Sequence, residues 1–276
     1  MPVLIFISGY LSRRKTDYET YIVKAIKSCL VPFLVFNILY GLHSVNDVWN
    51  VLTPKWTLWY LLSLFWWKVL IEIVRKVKWP LAVALLFSIY AGLLPVGSFL
   101  SLSRTLGLFP YFVSGYFCTS EGIRKMREAN KALSLAALLA TMVLAGALVK
   151  NGINSTVFFF RDSYEEMGQS YLQGMILRAV LLITGHLCIF SFFSLATSRK
   201  TILSNFGMYS LTVYLGHSAI IRILNLLKII NISNPYVFIA FAAFFSLAVA
   251  FALGNQMVFK LYQIVIDKIN HFVVKA

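Results

Sequence analysis

Few ionisable side chains lie inside the long apolar segments of this chain, and they are the residues whose types could do chemistry. They are Arg104, Arg178, His186, His217 and Arg222. Ionisable groups inside a membrane span are costly and are functional candidates by default. An imidazole titrates near neutral pH, so His217, within Tyr-Leu-Gly-His-Ser, could act as a general base toward a hydroxyl. A hydrogen bond to a neighbouring helix explains the same residue equally well.

The arginines could hold an anion. The guanidinium fork of Arg104 suits a phosphate or pyrophosphate, although the side chain could instead extend to the membrane interface. Arg178 and Arg222 lie deeper in their segments. No segment carries paired carboxylates, and no Walker A, HExxH or GxSxG motif is present. The three cysteines have no metal-ligand spacing, so we expect no metal site.

One short repeat stands out. Residues 6–10 (FISGY) return as residues 112–116 (FVSGY). One interpretation is that the small residues allow close helix packing and the Tyr lies at the interface. The other is that Gly lets a ligand or backbone approach while Ser and Tyr donate hydrogen bonds. The sequence alone leaves both open.

The apolar segments that position these residues predict a membrane protein. Hydrophobic residues make up 59% of the 276 residues, and charged residues only 13%, whereas a soluble domain carries about 25% charged residues. We predict an all-α, polytopic transmembrane helix bundle forming a single domain, residues 1–276. About nine spans are expected, at 1–12 (partial), 22–42, 57–74, 80–97, 101–118, 133–149, 171–196, 208–228 and 235–258.

The net charge of +15 is distributed as in a membrane protein. Lys and Arg cluster in every second short loop, and the positive-inside rule makes these loops cytoplasmic. This distribution argues against a nucleic-acid partner. It places the carboxyl terminus inside and Met1 outside, so we expect a further helix ahead of Met1. The tail, 258–272, has apolar residues at helical spacing and is expected to lie on the inner membrane face.

Several motifs resemble the membrane-bound acyltransferase 3 family, most closely its fucose 4-O-acetylase-like branch. They are residues 1–11 (MPVLIFISGYL), 30–36 (LVPFLVF), 58–62 (LWYLL), 104–116 (RTLGLFPYFVSGY) and 207–217 (GMYSLTVYLGH). Each motif is short and apolar, and their order and spacing over most of the chain carry the resemblance.

The resemblance implies about ten transmembrane helices and transfer of an acyl group, usually acetyl, from cytoplasmic acyl-CoA to hydroxyls of cell-surface or exported carbohydrates. It also implies a general-base His in the first helix, with an Arg roughly three helical turns before it. Residues 1–11 match the second helix, so this chain lacks that pair and is expected to be truncated at its amino terminus.

We therefore expect an integral-membrane O-acyltransferase of the bacterial plasma membrane, with acyl-CoA as donor substrate, no metal, and lipid and carbohydrate as partners. Arg104 would hold an anionic donor group, and His217 would orient or polarise near the site; both are candidate catalytic residues. The candidate substrate-binding residues are Ser8, Tyr10, Trp59, Tyr116 and Arg222.

Two alternatives stay open. An exporter or flippase of a sugar or lipid-linked intermediate could use Arg104, Arg178 and Arg222 along an anion path. An inactive, truncated family member could serve as a subunit of a cell-envelope complex. The sequence predicts no oligomeric state.

Overall fold

The structure is a computed structural model that describes residues 1–13, 16–42, 50–197, 207–226, 232 and 234–273. These residues form helices and connecting turns, with no strand among them, which confirms the predicted all-α class. They fall into two compact units, Met1–Ala25 with Leu62–Thr197, and Ile26–Leu61 with Ser198–Ala276. The expectation of a single domain over 1–276 stays a prediction.

The first unit is built from helices that carry the FISGY and FVSGY copies and their neighbours. α1 and α6 hold the two copies, and α5 and α9 pack beside α6. The helices are α1 (Pro2–Leu11), α2 (Tyr18–Ala25), α4 (Trp59–Val74, from Leu62 onward), α5 (Pro80–Ala91), α6 (Leu102–Phe117), α7 (Ser120–Glu128), α8 (Lys131–Lys150) and α9 (Tyr171–Leu195).

The second unit contains the start of α4 and the carboxyl-terminal helices. A π-helical turn, Ile26–Leu30, leads into α3, and a 3-10 turn, Trp56–Leu58, leads into α4. α10 packs on this 3-10 turn and on α11 and α12. The helices are α3 (Val31–Gly41), α10 (Ser210–Leu226), α11 (Pro235–Leu253) and α12 (Gln256–Val273).

Five helical stretches in the described residues are long and apolar enough to cross a membrane. They are Tyr18–Gly41, Trp56–Val74, Lys131–Lys150, Tyr171–Leu195 and Tyr236–Leu253. The other predicted spans also form helices, but shorter ones. The span expected over 80–97 ends at Ala91 because Gly92, Pro95 and Gly97, the last with φ of +51°, do not continue a helix.

The tail of the chain is helical, as predicted. α12 has exposed apolar side chains, among them Leu261, Ile264 and Phe272. Its location on the inner membrane face stays a prediction. Several predicted loop cations lie outside the described residues, namely Arg14, Lys15, Arg199, Lys200 and Lys275.

Pro110 lies inside α6, and side chains from two neighbouring helices fix the backbone around it. Proline has no N–H, so one carbonyl in the preceding turn loses its helical donor. Trp67 Nε1 donates to the Thr105 carbonyl oxygen at 2.7 Å, and Ser88 Oγ donates to that of Gly107 at 2.6 Å. These bonds attach the part of α6 that precedes Pro110 to α4 and α5.

Candidate functional site

The two FxSGY copies pack against each other. A Cβ at Gly9 would overlap the carbonyl oxygen of Phe112, and one at Gly115 would overlap that of Phe6. Each glycine therefore lies against the main chain of the other helix, at the equivalent position. Small residues permit this approach of two helix backbones. The structure supports the packing interpretation for the glycines of the repeat.

The carboxyl-terminal ends of α1 and α6 lie together. Arg13, two residues beyond α1, donates from Nε to the carbonyl oxygen of Tyr116 at 2.9 Å. Its guanidinium carbon lies 4.6 Å from the centre of the Tyr10 ring, a cation–π contact. Tyr10 and Tyr116 thus both hold Arg13 in position.

A cavity of about 460 Å³ opens beside Arg13. Three of its lining side chains are cationic, Arg13, Lys24 and Lys68, and Asp and Glu are absent from the lining that the structure describes. The lining is Ser8, Leu11, Ser12, Arg13, Thr16, Tyr21, Lys24, Leu64 and Lys68. Hydroxyl groups share the lining with the cations, so this basic cavity has the chemistry of an anion site.

Ser8 is the predicted residue that lines the basic cavity directly, whereas Tyr10 and Tyr116 contact Arg13. Sequence reasoning did not select Arg13, Lys24 or Lys68 as site residues. Lys68 gave a usable signal, because it is a lysine within the apolar stretch Trp59–Val74. Tertiary packing of α1, α2 and α4 brings Lys68 together with Arg13 and Lys24, and the sequence does not show this packing.

Arg104 lies at the opposite end of α6 from this cavity. It precedes Tyr116 by twelve positions, which corresponds to roughly 18 Å along a helix. Arg161 and Asp162, in the segment after α8, are among the charged residues near it. Its neighbour Ser103 donates to the Phe160 carbonyl oxygen at 2.9 Å. Its predicted role as an anion ligand stays a prediction, at a different end of the helix from Ser8.

Arg178 is enclosed rather than open to a path. Its side chain is 3% exposed, and Nη1 donates to the Ser88 carbonyl oxygen at 3.0 Å. Its guanidinium carbon lies 5.1 Å from the ring centres of both Phe160 and Tyr164. Tyr164 in turn donates from its hydroxyl to Ile89 and from its backbone N–H to Gly92. Arg178 thus fastens the segment after α8 to α5 and α9.

The electrostatics of this segment follow from its contacts. Burial raises the pKa of Tyr164, and the nearby positive charge of Arg178 partly opposes that rise. Hydrogen bonds to Asp162 raise the pKa of Arg161, which lies 2.6 Å from that carboxylate. Arg161 is therefore a permanent cation whose charge is balanced by its neighbour.

His217, in the second unit, belongs to a chain of hydroxyl groups. Its Nδ1 lies 3.0 Å from the Val213 carbonyl oxygen, which can only accept, so Nδ1 carries the hydrogen and Nε2 is left as an acceptor. Ser218 Oγ lies 3.4 Å from Nε2 and 2.6 Å from Thr57 Oγ1. The Tyr214 hydroxyl donates to the Thr57 carbonyl oxygen. Ser218 follows His217 directly in the sequence, whereas tertiary packing brings Thr57, which the sequence did not indicate, to Ser218.

Aromatic rings surround this hydroxyl chain. Trp59 meets Tyr60 edge-on with ring centres 5.9 Å apart, and Tyr60 lies 5.7 Å from Tyr214. Arg222 lies with its guanidinium carbon 4.5 Å from the Trp56 ring centre. The predicted residues Trp59, His217 and Arg222 thus lie in one unit, while Ser8, Tyr10, Arg104 and Tyr116 lie in the other. No group of three or more His, Cys, Asp or Glu residues able to hold a metal was found in the described part of the chain.

The helices and the basic cavity define a helical membrane protein with a cationic site at one end of its first helix. A family model described as an acyltransferase domain matches residues 1–255 of the 276. The chain belongs to the acyltransferase 3 family, and acyl transfer is the activity class of that family. Neither a curated protein nor a solved structure gives a significant match. The fucose 4-O-acetylase-like branch stays a prediction.

Proposed function

We propose that this protein is an integral-membrane O-acyltransferase that takes an acyl group, expected to be acetyl, from acyl-CoA and transfers it to a hydroxyl of a cell-surface or exported carbohydrate. Membership of the acyltransferase 3 family supports the acyl transfer. The observation that carries the choice of donor is the basic cavity, where Arg13, Lys24 and Lys68 converge with no described carboxylate in the lining.

Coenzyme A presents the charge that such a cavity would bind. It carries a pyrophosphate and a ribose phosphate, and the three cations and the hydroxyls of Ser8, Ser12 and Thr16 provide donors for their oxygens. Arg13 and Lys24 belong to the first basic loop, which the positive-inside rule places in the cytoplasm. That compartment is where acyl-CoA is available.

The second unit offers groups suited to an acceptor hydroxyl. Nε2 of His217 is oriented as an acceptor by the bond from Nδ1 to Val213, so it can accept a hydrogen bond from an acceptor hydroxyl and orient it. Trp56, Trp59 and Tyr60 supply aromatic faces beside it. The apolar faces of sugar rings stack on such surfaces, which favours a carbohydrate acceptor.

Donor binding tests the first half of the proposal. Acetyl-CoA is titrated into the purified full chain in lipid nanodiscs by calorimetry, for the wild type and for Lys24→Gln and Lys68→Gln. A hydrogen bond to a charged group contributes about 1.5–3 kcal/mol, so each variant should bind about tenfold more weakly or worse. Lys125→Gln is the matched control, since Lys125 is exposed on α7 and absent from the cavity lining. Equal affinities in all four proteins would refute the donor site.

Transfer to carbohydrate tests the second half. Membranes containing the protein receive acetyl-CoA labelled in the acetyl group, and label is followed into alkali-labile esters of the surface polysaccharide. We expect label in the carbohydrate fraction with the wild type and much less with Lys24→Gln. Donor binding combined with label in a non-carbohydrate acceptor would keep the acyltransferase and reject the acceptor class.

A further inference from the structure

Ser114, the serine of the FVSGY copy, forms a close pair with a histidine. Its Oγ lies 2.8 Å from Nε2 of His186 in α9. Both side chains are half-buried, so neither is sealed off from its surroundings. The separation is within the range of 2.6–3.2 Å over which a base can take a proton from a nucleophile. Ser8, the equivalent serine in α1, lines the basic cavity instead.

The imidazole of His186 is held in the orientation that a base requires. Nδ1 lies 2.8 Å from the Leu182 carbonyl oxygen, so Nδ1 carries the hydrogen and Nε2 presents its lone pair to Ser114. The Tyr111 ring packs on the imidazole with ring centres 4.9 Å apart. A Cβ at Gly185 would overlap the Tyr111 hydroxyl, so a glycine at position 185 leaves the space that the Tyr111 ring occupies beside His186. Ser114 thus corresponds to a nucleophile, His186 to its base, and the Leu182 carbonyl oxygen to the group that orients the base.

His186 also lines an apolar cavity of about 570 Å³ between α5 and α9. Around it are Leu81, Leu85, Ile89, Ile183 and Phe190, and His186 is the one titratable residue in the described lining. A cavity of this size and character fits an acyl group better than a polar substrate. His186, the titratable residue of this lining, is also the residue that contacts Ser114.

We infer that Ser114 and His186 form a catalytic dyad that carries the acyl group as an ester on Ser114 during transfer. This inference rests on the proposed acyl-CoA donor. Ser114 Oγ attacks the thioester carbonyl carbon while His186 Nε2 takes the hydroxyl proton, the C–S bond breaks, and the proton passes to the leaving thiolate. The acceptor hydroxyl then attacks the Ser114 ester with His186 as base, and Ser114 leaves with that proton.

The position of the dyad agrees with this order of events. Ser114 precedes by two residues Tyr116, whose carbonyl oxygen accepts the bond from Arg13 at the basic cavity. One lining residue of each cavity, Arg13 or His186, therefore contacts the carboxyl-terminal part of α6, within one compact unit. A donor held by its phosphates at Arg13 carries its thioester at the end of a long flexible arm, which can extend along α6 toward Ser114.

A purely structural Ser–His bond makes a different prediction. Ser114 Oγ also lies 2.8 Å from the Pro110 carbonyl oxygen, so its single hydrogen can be directed to either acceptor. If the pair only joined α6 to α9, Ser114 would be no more reactive than any other membrane serine. Reactivity of the hydroxyl, rather than stability, separates the two cases.

The test is acylation of the 276-residue chain in nanodiscs by p-nitrophenyl acetate, followed by mass spectrometry of its peptides. This small activated ester needs no coenzyme A site. We expect one acetyl group on Ser114 in the wild type, none there in Ser114→Ala, and labelling slowed by about 10²–10⁴ in His186→Gln, as for loss of a general base. Ser134→Ala is the control, since Ser134, in α8, is a buried serine that is hydrogen-bonded to Ser194 of α9.

A second arm uses acetyl-CoA without acceptor. Acetyl on Ser114 that is then lost to added acceptor supports the ester intermediate. Absence of label on Ser114 with both reagents overturns the dyad, as does wild-type transfer by Ser114→Ala. If acetyl-CoA binds and Ser114 stays unlabelled, the dyad is rejected and the proposed function is kept. If p-nitrophenyl acetate labels Ser114 but acetyl-CoA does not bind, the reactive dyad is kept and the acyl-CoA donor is rejected.

Discussion

Arg13 and Tyr116 join the ends of α1 and α6, through the 2.9 Å bond from Nε of Arg13 to the carbonyl oxygen of Tyr116. Arg13 therefore has two tasks, since it also lines the basic cavity. Arg13→Lys keeps the charge and loses the bond from Nε, whereas Arg13→Ala loses both. We expect Arg13→Lys to retain most acetyl-CoA affinity and to lose about 1–2 kcal/mol of unfolding free energy. Arg13→Ala should bind at least tenfold more weakly. Calorimetry and thermal unfolding measure the two effects, and equal affinity of both variants would contradict the assignment.

Gly9 and Gly115 are predicted to be intolerant of any side chain. Gly9→Ala places a methyl group against the main chain of Phe112, which cannot rotate away as a side chain could. We expect a loss of about 1–3 kcal/mol from overpacking, measured as a lower midpoint of thermal unfolding. Gly146→Ala is the matched control, because Gly146 is also helical and has open space around its Cα. An unchanged midpoint for Gly9→Ala would mean that the two helices are further apart.

Asn37 is predicted to be essential for the stability of the second unit. It is 1% exposed, donates from Nδ2 to the Val51 carbonyl oxygen at 3.0 Å, and accepts from the Lys55 backbone N–H at 2.9 Å. Asn37→Ala leaves those backbone groups without their partner, which costs about 1–3 kcal/mol. Asn37→Asp keeps the acceptor and loses the donor, so thermal unfolding should place it between the wild type and Asn37→Ala.

Arg178 is predicted to slow the hydrogen exchange of backbone amides in the segment after α8. Replacing Arg178 with Met removes the contacts to Phe160 and Tyr164 and the bond to Ser88 while keeping an apolar side chain of similar length. Hydrogen exchange of residues 155–170 should become faster, because the segment loses its attachment to α9. Arg161→Met is the control, as Arg161 is paired with its own neighbour Asp162. Unchanged exchange in Arg178→Met would show that the hydrogen bonds of Tyr164 suffice.

His217 is predicted to be needed for transfer and not for donor binding. His217→Gln removes the imidazole acceptor that the Val213 carbonyl oxygen orients. We expect the rate of acyl transfer to fall by up to about tenfold, as for loss of one orienting hydrogen bond, with acetyl-CoA affinity unchanged. His271→Gln, at an exposed position of α12, is the control and should leave both values as they are. Weaker donor binding in His217→Gln would place His217 at the donor instead.

Most helices could be predicted from hydropathy because an apolar run and its capping residues, all near one another in sequence, determine where the helix forms. The apolar run Tyr171–Leu195 begins with a Ser170–Gln173 capping box and forms one helix, as expected. The span expected over 80–97 was too long, because hydropathy averages over Gly92 and Pro95 and does not sense that the backbone turns there. The division into two units was also beyond the sequence, since no polar linker marks it.

The candidate site was only partly predictable, for a related reason. Ser8, Tyr10 and Tyr116 could be selected from the repeat, and all three are found around Arg13. Lys24 reads as an ordinary loop cation, and Lys68, although it lies in an apolar stretch, has no visible partner in sequence until tertiary contacts group the two. The pairing of Ser114 with His186 spans 72 positions, and periodicity along one helix carries no information about such a distance.

The reciprocal glycine-to-backbone contacts between the two FxSGY copies have an evolutionary consequence. Each glycine faces backbone atoms of the other helix, and backbone atoms are common to all residues. A larger residue at Gly9 or Gly115 therefore cannot be compensated by a smaller one opposite. Homologues should keep both glycines fixed, with no covariation between the two positions, whereas Phe6 and the side chains that it meets remain free to change together.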